Sequence, residues 1–89
     1  MNFSFYYNSF DEFYETMLRG NEIEFEYNTE RYFLLPHYED EKIVGIMIGK
    51  AGTNHELVCL SKQALYNTKI DGCLFGELLS DINILWNNF

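Results

Sequence analysis

The sequence is poor in basic residues and has no long apolar run. Six lysines and arginines stand against 14 aspartates and glutamates, so the formal net charge is −8. This charge opposes direct binding to nucleic acid or to an anionic membrane. The longest apolar run, Ile43 to Gly49, is far shorter than the roughly 18 residues of a membrane-spanning helix. The first residues also lack the basic start and apolar centre of a signal peptide. We therefore expect a cytoplasmic protein without a membrane partner.

Cysteine and proline are also scarce. Cys59 and Cys73 form no CxxC pair, and we expect both to be buried thiols in a reducing cytoplasm. The one proline, Pro36, is expected to end a strand, because proline cannot donate to a sheet ladder.

Apolar residues and acidic residues are abundant but unevenly distributed. The chain of 89 residues is 47% hydrophobic and 18% aromatic, which is enough material for one core and predicts a single domain over residues 1–89. Residues 1–41 hold ten acidic and two basic residues, whereas residues 42–89 hold four of each. The whole net charge therefore lies in the first half, which suits a basic partner.

The first half predicts a helix followed by a hairpin. Ser9 and Glu12 form a capping box for a helix from Phe10 to Arg19, which Gly20 ends. The alternating residues Glu22 to Tyr27 predict a strand, Asn28 and Thr29 a tight turn, and Arg31 to Leu35 a second strand. The register then pairs Ile23 with Leu34, Phe25 with Tyr32, and Glu26 with Arg31. We expect the last two to form an ion pair. Phe33 and Leu35 fall on the glutamate side.

The second half predicts more strands and then helices. We expect an exposed acidic loop from His37 to Lys42, a strand covered on both faces at Ile43 to Gly49, and a strand at Leu57 to Leu60. A short helix at Lys62 to Tyr66 precedes a last helix that begins near Cys73 and carries an apolar stripe. Residues 82–87 fit either helix or strand. The predicted fold class is α+β, with an N-terminal helix, a three- to four-stranded mainly antiparallel sheet, and C-terminal helices packed on one face.

No pattern in the sequence predicts catalysis, a cofactor or a metal site. Between Gly45 and Gly49 there is one residue too few for a phosphate-binding loop. His37 and the acids after it lack zinc or calcium spacing. His55 and Cys59 would lie about 13 Å apart on an extended chain. The row Glu22, Glu24 and Glu26 has the spacing of a carboxylate pair, but a domain of this size offers little cleft for a substrate. We therefore expect a protein that is not an enzyme.

The segment Phe10 to Leu34, FDEFYETMLRGNEIEFEYNTERYFL, resembles a pattern in short uncharacterised proteins from Gram-positive bacteria and their phages. That pattern is a short amphipathic helix, a glycine, a strand like EIEFEY, a turn and an aromatic strand. The resemblance implies a bacterial or phage origin, and it implies no activity.

The charge distribution favours a protein-binding function. We expect the acidic half to contact a basic partner, in one version as an inhibitor whose carboxylates mimic the phosphates of a nucleic acid. The expected contact residues are Glu22, Glu24, Phe33, Tyr38, Glu39, Asp40 and Glu41. The alternative is a homodimeric structural or accessory protein, with its interface at the aromatic segment Phe3 to Tyr7, Tyr38 and Trp86.

Overall fold

The computed structural model describes residues 7–88 as one small α+β unit. The helices are α1 (Phe10–Met17) and α2 (Lys62–Tyr66). The strands are β1 (Ile23–Tyr27), β2 (Glu30–Glu39), β3 (Lys42–Lys50), β4 (Glu56–Cys59), β5 (Lys69–Ile70), β6 (Cys73–Leu74) and β7 (Asn83–Asn87), and Phe75–Glu77 forms a 3₁₀ turn. Within these residues, one antiparallel sheet has the order β4-β3-β2-β1-β7, while β5 and β6 pair separately.

The N-terminal half folds as its sequence predicts. The Ser9 hydroxyl accepts a hydrogen bond of 3.1 Å from the backbone N–H of Glu12, which satisfies a free donor of the first helical turn. The helix ends earlier than predicted, at Met17. The register of β1 and β2 is confirmed, with Ile23 opposite Leu34, Phe25 opposite Tyr32 and Glu26 opposite Arg31.

Both long hairpins turn through two residues in the left-handed region. Asn28 and Thr29 have φ of 51° and 64°, and Asp40 and Glu41 have φ of 50° and 65°. Turns of this kind match the right-handed twist of the strands that they join. The predicted acidic loop from His37 to Lys42 is therefore wrong, because most of it belongs to β2 and β3.

The prediction that Pro36 ends a strand is also wrong. Strand β2 continues to Glu39, and Pro36 lies opposite Ile46 of β3. The first residue of β1, Ile23, lies opposite Leu34, so β1 does not pair with β2 at Pro36. Within residues 7–88, β2 pairs on one side only at this position, so a residue without an N–H group is tolerated there.

The C-terminal part differs most from the prediction. Instead of a long last helix, the chain forms the β5–β6 pair, the 3₁₀ turn and β7, and the sheet of the described residues has five strands rather than three or four. The apolar stripe that predicted a helix is nevertheless buried at Phe75, Leu78 and Ile82. Successive tight turns bury residues three and four apart as a helix would. Gly76 also disfavours a continuous helix.

The core lies on one side of the sheet. It is built from α1, the inward side chains of the sheet, α2 and the residues around the 3₁₀ turn. Phe75 is at its centre, with ring centroids 5.6 Å from Phe25 and 6.1 Å from Phe13. Cys59 is buried there as predicted, but Cys73 is exposed, because it follows the turn of the β5–β6 pair. Among residues 7–88, neither helix has the length and apolar character needed to cross a membrane.

Candidate protein-binding face

The sheet presents a second face, opposite to the core, that we call the outer face. Successive side chains of a strand point to opposite sides, so this face carries the residues between the core positions. Its apolar members are Phe33 and Leu35 of β2, Met47 of β3, Val58 of β4 and Trp86 of β7. In residues 7–88 none of these side chains is buried, and the buried core consists of residues from the other side.

The outer face is organised in rows across the strands. One row runs from Trp86 through Glu24 and Phe33 to Gly49 and Glu56, as the pairing of neighbouring strands shows. Because adjacent strands lie about 4.8 Å apart, Trp86 and Phe33 are roughly 10 Å from each other across Glu24.

A second row places Leu35, Met47 and Val58 side by side. The two rows together form an apolar strip across the sheet, with a carboxylate between its two aromatic residues.

A β-bulge turns Trp86 onto this face. Ile84 lies opposite Phe25, whereas Trp86 lies opposite Glu24, so Leu85 is an extra residue in β7. In a regular strand that includes Leu85, Ile84 and Trp86 would be two positions apart and would point to the same side. The bulge leaves Ile84 in the core and Trp86 with half of its surface exposed (50%) on the outer face.

Gly49 allows the Phe33 ring to lie across strand β3. A Cβ atom added to Gly49 would collide with the atoms of that ring. The glycine therefore provides the space that the ring occupies, which holds Phe33 half-buried against the sheet. The same packing explains why the strand at Ile43 to Gly49 does not alternate: its outer side carries Gly45 and Gly49. The interpretation that this strand is covered on both faces is wrong, since Met47 between them is partly exposed.

The charge on the outer face is mostly negative. Arg31 lies opposite Glu26, but its Nη1 atom contacts Glu24 Oε1 diagonally at 3.5 Å. The expected ion pair with Glu26 is therefore replaced by one with Glu24. The contact is solvent-exposed and contributes little stability. Within the described part of the chain, Glu26 and Glu56 have no ion-pair partner, so this face keeps uncompensated carboxylates beside its apolar strip.

The predicted contact residues fall into two groups. Glu24 and Phe33 are direct neighbours on the outer face. A second group, the hairpin tip, comprises Tyr38, Glu39, Asp40 and Glu41 at the turn between β2 and β3. Glu39 lies six positions after Phe33 along β2, which corresponds to about 20 Å of extended strand. The predicted set is therefore two patches rather than one.

Glu22 and the aromatic segment Phe3 to Tyr7 complete the predicted residues. Glu22 sits just before β1, where its backbone N–H donates to Asn88 Oδ1 at 2.7 Å. In the aromatic segment Phe3 to Tyr7, only Tyr7 falls within the described residues, and it is buried. Residues 7–88 contain no group of three His, Cys, Asp or Glu side chains placed to share a metal ion.

No protein family, curated protein or solved structure matches this chain. The resemblance of Phe10 to Leu34 to short bacterial and phage proteins stays an expectation. Sequence reasoning left Leu35, Met47, Val58 and Trp86 out of the contact set. The alternation of β1 and β2 assigns Leu35 to the glutamate side, but no local signal indicates the bulge that turns Trp86 to the same face.

Proposed function

We propose that this chain is a non-enzymatic protein-binding module that docks a basic partner on its outer face. The observation that carries the proposal is the bulge at Leu85, which places Trp86 next to Glu24 and Phe33 on a face where the described residues bury no side chain. A bulge that re-aims one large aromatic residue is typical of sites that serve a function.

The composition of the outer face is that of an interface centre. Tryptophan is enriched among residues that dominate binding energy, and methionine and aromatic residues are enriched in interfaces generally. Phe33, held across Gly49, and Trp86 would enter apolar depressions of the partner with little loss of side-chain freedom.

The charge of the chain supports a basic partner. Residues 1–41 contain ten acidic and two basic residues. The hairpin tip forms a second acidic patch, about 20 Å along β2 from Phe33. Complementary charge accelerates encounter and excludes acidic partners. In the specific version of this proposal, carboxylates on the outer face and at the hairpin tip replace the phosphates of a nucleic acid that the partner binds. The binding takes place in the cytoplasm of a bacterial or phage-infected cell.

The test is affinity capture from bacterial lysate at low and high salt, with the native chain and two variants. In the first variant, Phe33→Ser and Trp86→Ser remove both aromatic residues of the outer face. The control, Leu18→Ser, removes an exposed leucine from the end of α1, on the other side of the sheet. We expect the native chain and the control to capture the same lysine- and arginine-rich protein, with less captured at high salt. The double variant is expected to lose it. Equal capture by the double variant refutes the proposal.

A homodimer is the second candidate, and the edge strand β4 favours it. Leu57, Val58 and Leu60 are exposed along or just after this strand, and among residues 7–88 β4 pairs only with β3. Two β4 edges could join two sheets into one, as exposed apolar edge strands do. Light scattering would then give twice the mass of the chain, and Leu57→Lys would return it to the monomer mass. A native chain that stays monomeric at high concentration excludes this candidate.

A further inference from the structure

A cleft of about 350 Å³ opens on the core side of the sheet, away from the outer face. It lies where the ends of β3 and β4 pass beneath the β5–β6 pair. Its floor consists of Tyr32, Ile48 and Ile70, which are all buried. The volume falls in the range of roughly 300 to 1,000 Å³ that small-molecule sites have.

The Tyr32 side chain belongs to this floor. Its hydroxyl can donate a hydrogen bond, and it has no hydrogen-bond partner among residues 7–88. Only 6% of its surface is exposed, and its ring stacks on Phe25 at a centroid distance of 5.2 Å. Burial raises the pKa of Tyr32, and the nearby carboxylate of Asp71 raises it further, so the hydroxyl keeps its proton. No fully enclosed side-chain nitrogen or oxygen among residues 7–88 lacks a partner, so the unpartnered Tyr32 hydroxyl is accessible and can be reached by a ligand in the cleft.

The rim of the cleft carries both signs of charge. Lys50, His55 and Lys69 lie on it together with Glu56 and Asp71. This balance departs from the acidic surface of the rest of the chain, whose formal net charge is −8.

The two lysines of the rim differ in their partners. Lys50 Nζ is held by Glu30 at 3.5 Å, whereas Lys69 has no carboxylate within 4.0 Å among residues 7–88. Lys69 is therefore the rim cation that is available to an anion.

From these features we propose that the cleft binds a small organic carboxylate that carries a hydroxyl group on a planar apolar body. The carboxylate pairs with Lys69, and the planar body lies against Ile48 and Ile70. The ligand hydroxyl accepts a hydrogen bond from Tyr32 and donates one to Asp71. This site shares Gly49 and Glu56 with the outer face, but Phe33 and Trp86 do not line it.

The test uses para-hydroxybenzoate as the probe and follows the backbone amide resonances of the isotope-labelled chain by NMR. Two related compounds serve as ligand controls: para-hydroxybenzamide, which lacks the charge, and benzoate, which lacks the hydroxyl. We expect saturable shifts at Gly49, Ile70 and their neighbours, and weaker binding of both control compounds.

Two variants test the assigned contacts. Lys69→Gln removes the cation, and Tyr32→Phe removes the hydroxyl while it keeps the ring stacked on Phe25. Each variant is expected to lower the affinity for the probe roughly two- to fivefold, which is the effect of losing a single partly exposed polar contact. The matched control Lys42→Gln, at the start of β3, removes an exposed lysine outside the cleft and leaves the affinity unchanged.

Three results would overturn the assignment. They are an absence of saturable shifts around the cleft, equal binding of para-hydroxybenzamide, and unchanged affinity in Lys69→Gln or Tyr32→Phe. The two variants must retain the native amide dispersion, which the same spectra report.

Discussion

Replacing Thr29 by glycine should stabilise the protein, although the change removes a side chain. Thr29 has φ of 64° in the turn between β1 and β2. A residue with a Cβ atom pays about 1 to 2 kcal/mol in this region, and a β-branched residue is especially unfavourable there. Asn-Gly is the sequence that such a turn prefers.

The expected gain follows from three terms. Glycine removes the left-handed penalty but loses about 0.5 to 1 kcal/mol more conformational entropy on folding. The hydroxyl of Thr29 donates to the carbonyl of Asn28, and this exposed contact adds little. The net effect is a stabilisation of about 0.5 to 1 kcal/mol, which for a domain of this size corresponds to a rise in Tm of roughly 3 to 6 °C.

Thermal unfolding followed by circular dichroism measures this shift. The matched control is Thr29→Ala, which keeps a Cβ atom and with it most of the left-handed penalty, and which should raise the Tm less than glycine does. If Thr29→Gly melts no higher than Thr29→Ala, the turn does not hold residue 29 at positive φ, and the register of the hairpin loses its explanation.

Three further changes test the core and its caps. Ser9→Ala should lower the free energy of unfolding by about 1 kcal/mol in denaturant titration, since the cap of α1 is lost. Gly76→Ala should cost about 1 to 3 kcal/mol, because its Cβ would collide with the Tyr66 ring, and Gly76→Ala should cost less in a Tyr66→Ala background. Burial raises the pKa of Tyr14 and of Tyr32 above their ordinary value of about 10. Their contribution to stability is therefore complete below that pH and is lost as the pH rises through the higher folded pKa. Ultraviolet absorbance and denaturant titrations in alkali measure both effects, and a stability independent of pH above the ordinary tyrosine pKa would contradict this reasoning.

The sequence predicts the first hairpin well because its signals are local. Strict alternation from Glu22 to Tyr27 assigns each side chain to a face, and a two-residue turn at Asn28 fixes which residues meet. The ion pair of Arg31 was assigned to the wrong glutamate because the long arginine side chain reaches the diagonal neighbour Glu24 as easily as the opposite Glu26.

The C-terminal part could not be derived in the same way. Phe75, Leu78 and Ile82 have helical spacing, and a 3₁₀ turn followed by further turns satisfies that spacing equally well. Whether the segment forms a helix or a series of turns depends on tertiary packing. The Tyr66 ring lies over Gly76, and β7 pairs with β1 across more than fifty residues of chain. The spacing of apolar residues along the sequence reports neither of these long-range contacts.

The bulge at Leu85 lets two residues of β7 that are two positions apart, Ile84 and Trp86, face opposite sides of the sheet. Deletion of Leu85 would remove the extra residue and join Ile84 directly to Trp86. Neighbours in a regular strand point to opposite sides, so Ile84 would keep its place opposite Phe25 and Trp86 its place opposite Glu24. Insertions and deletions are usually accepted in loops, but this strand should accept the loss of one residue and still present its tryptophan on the outer face.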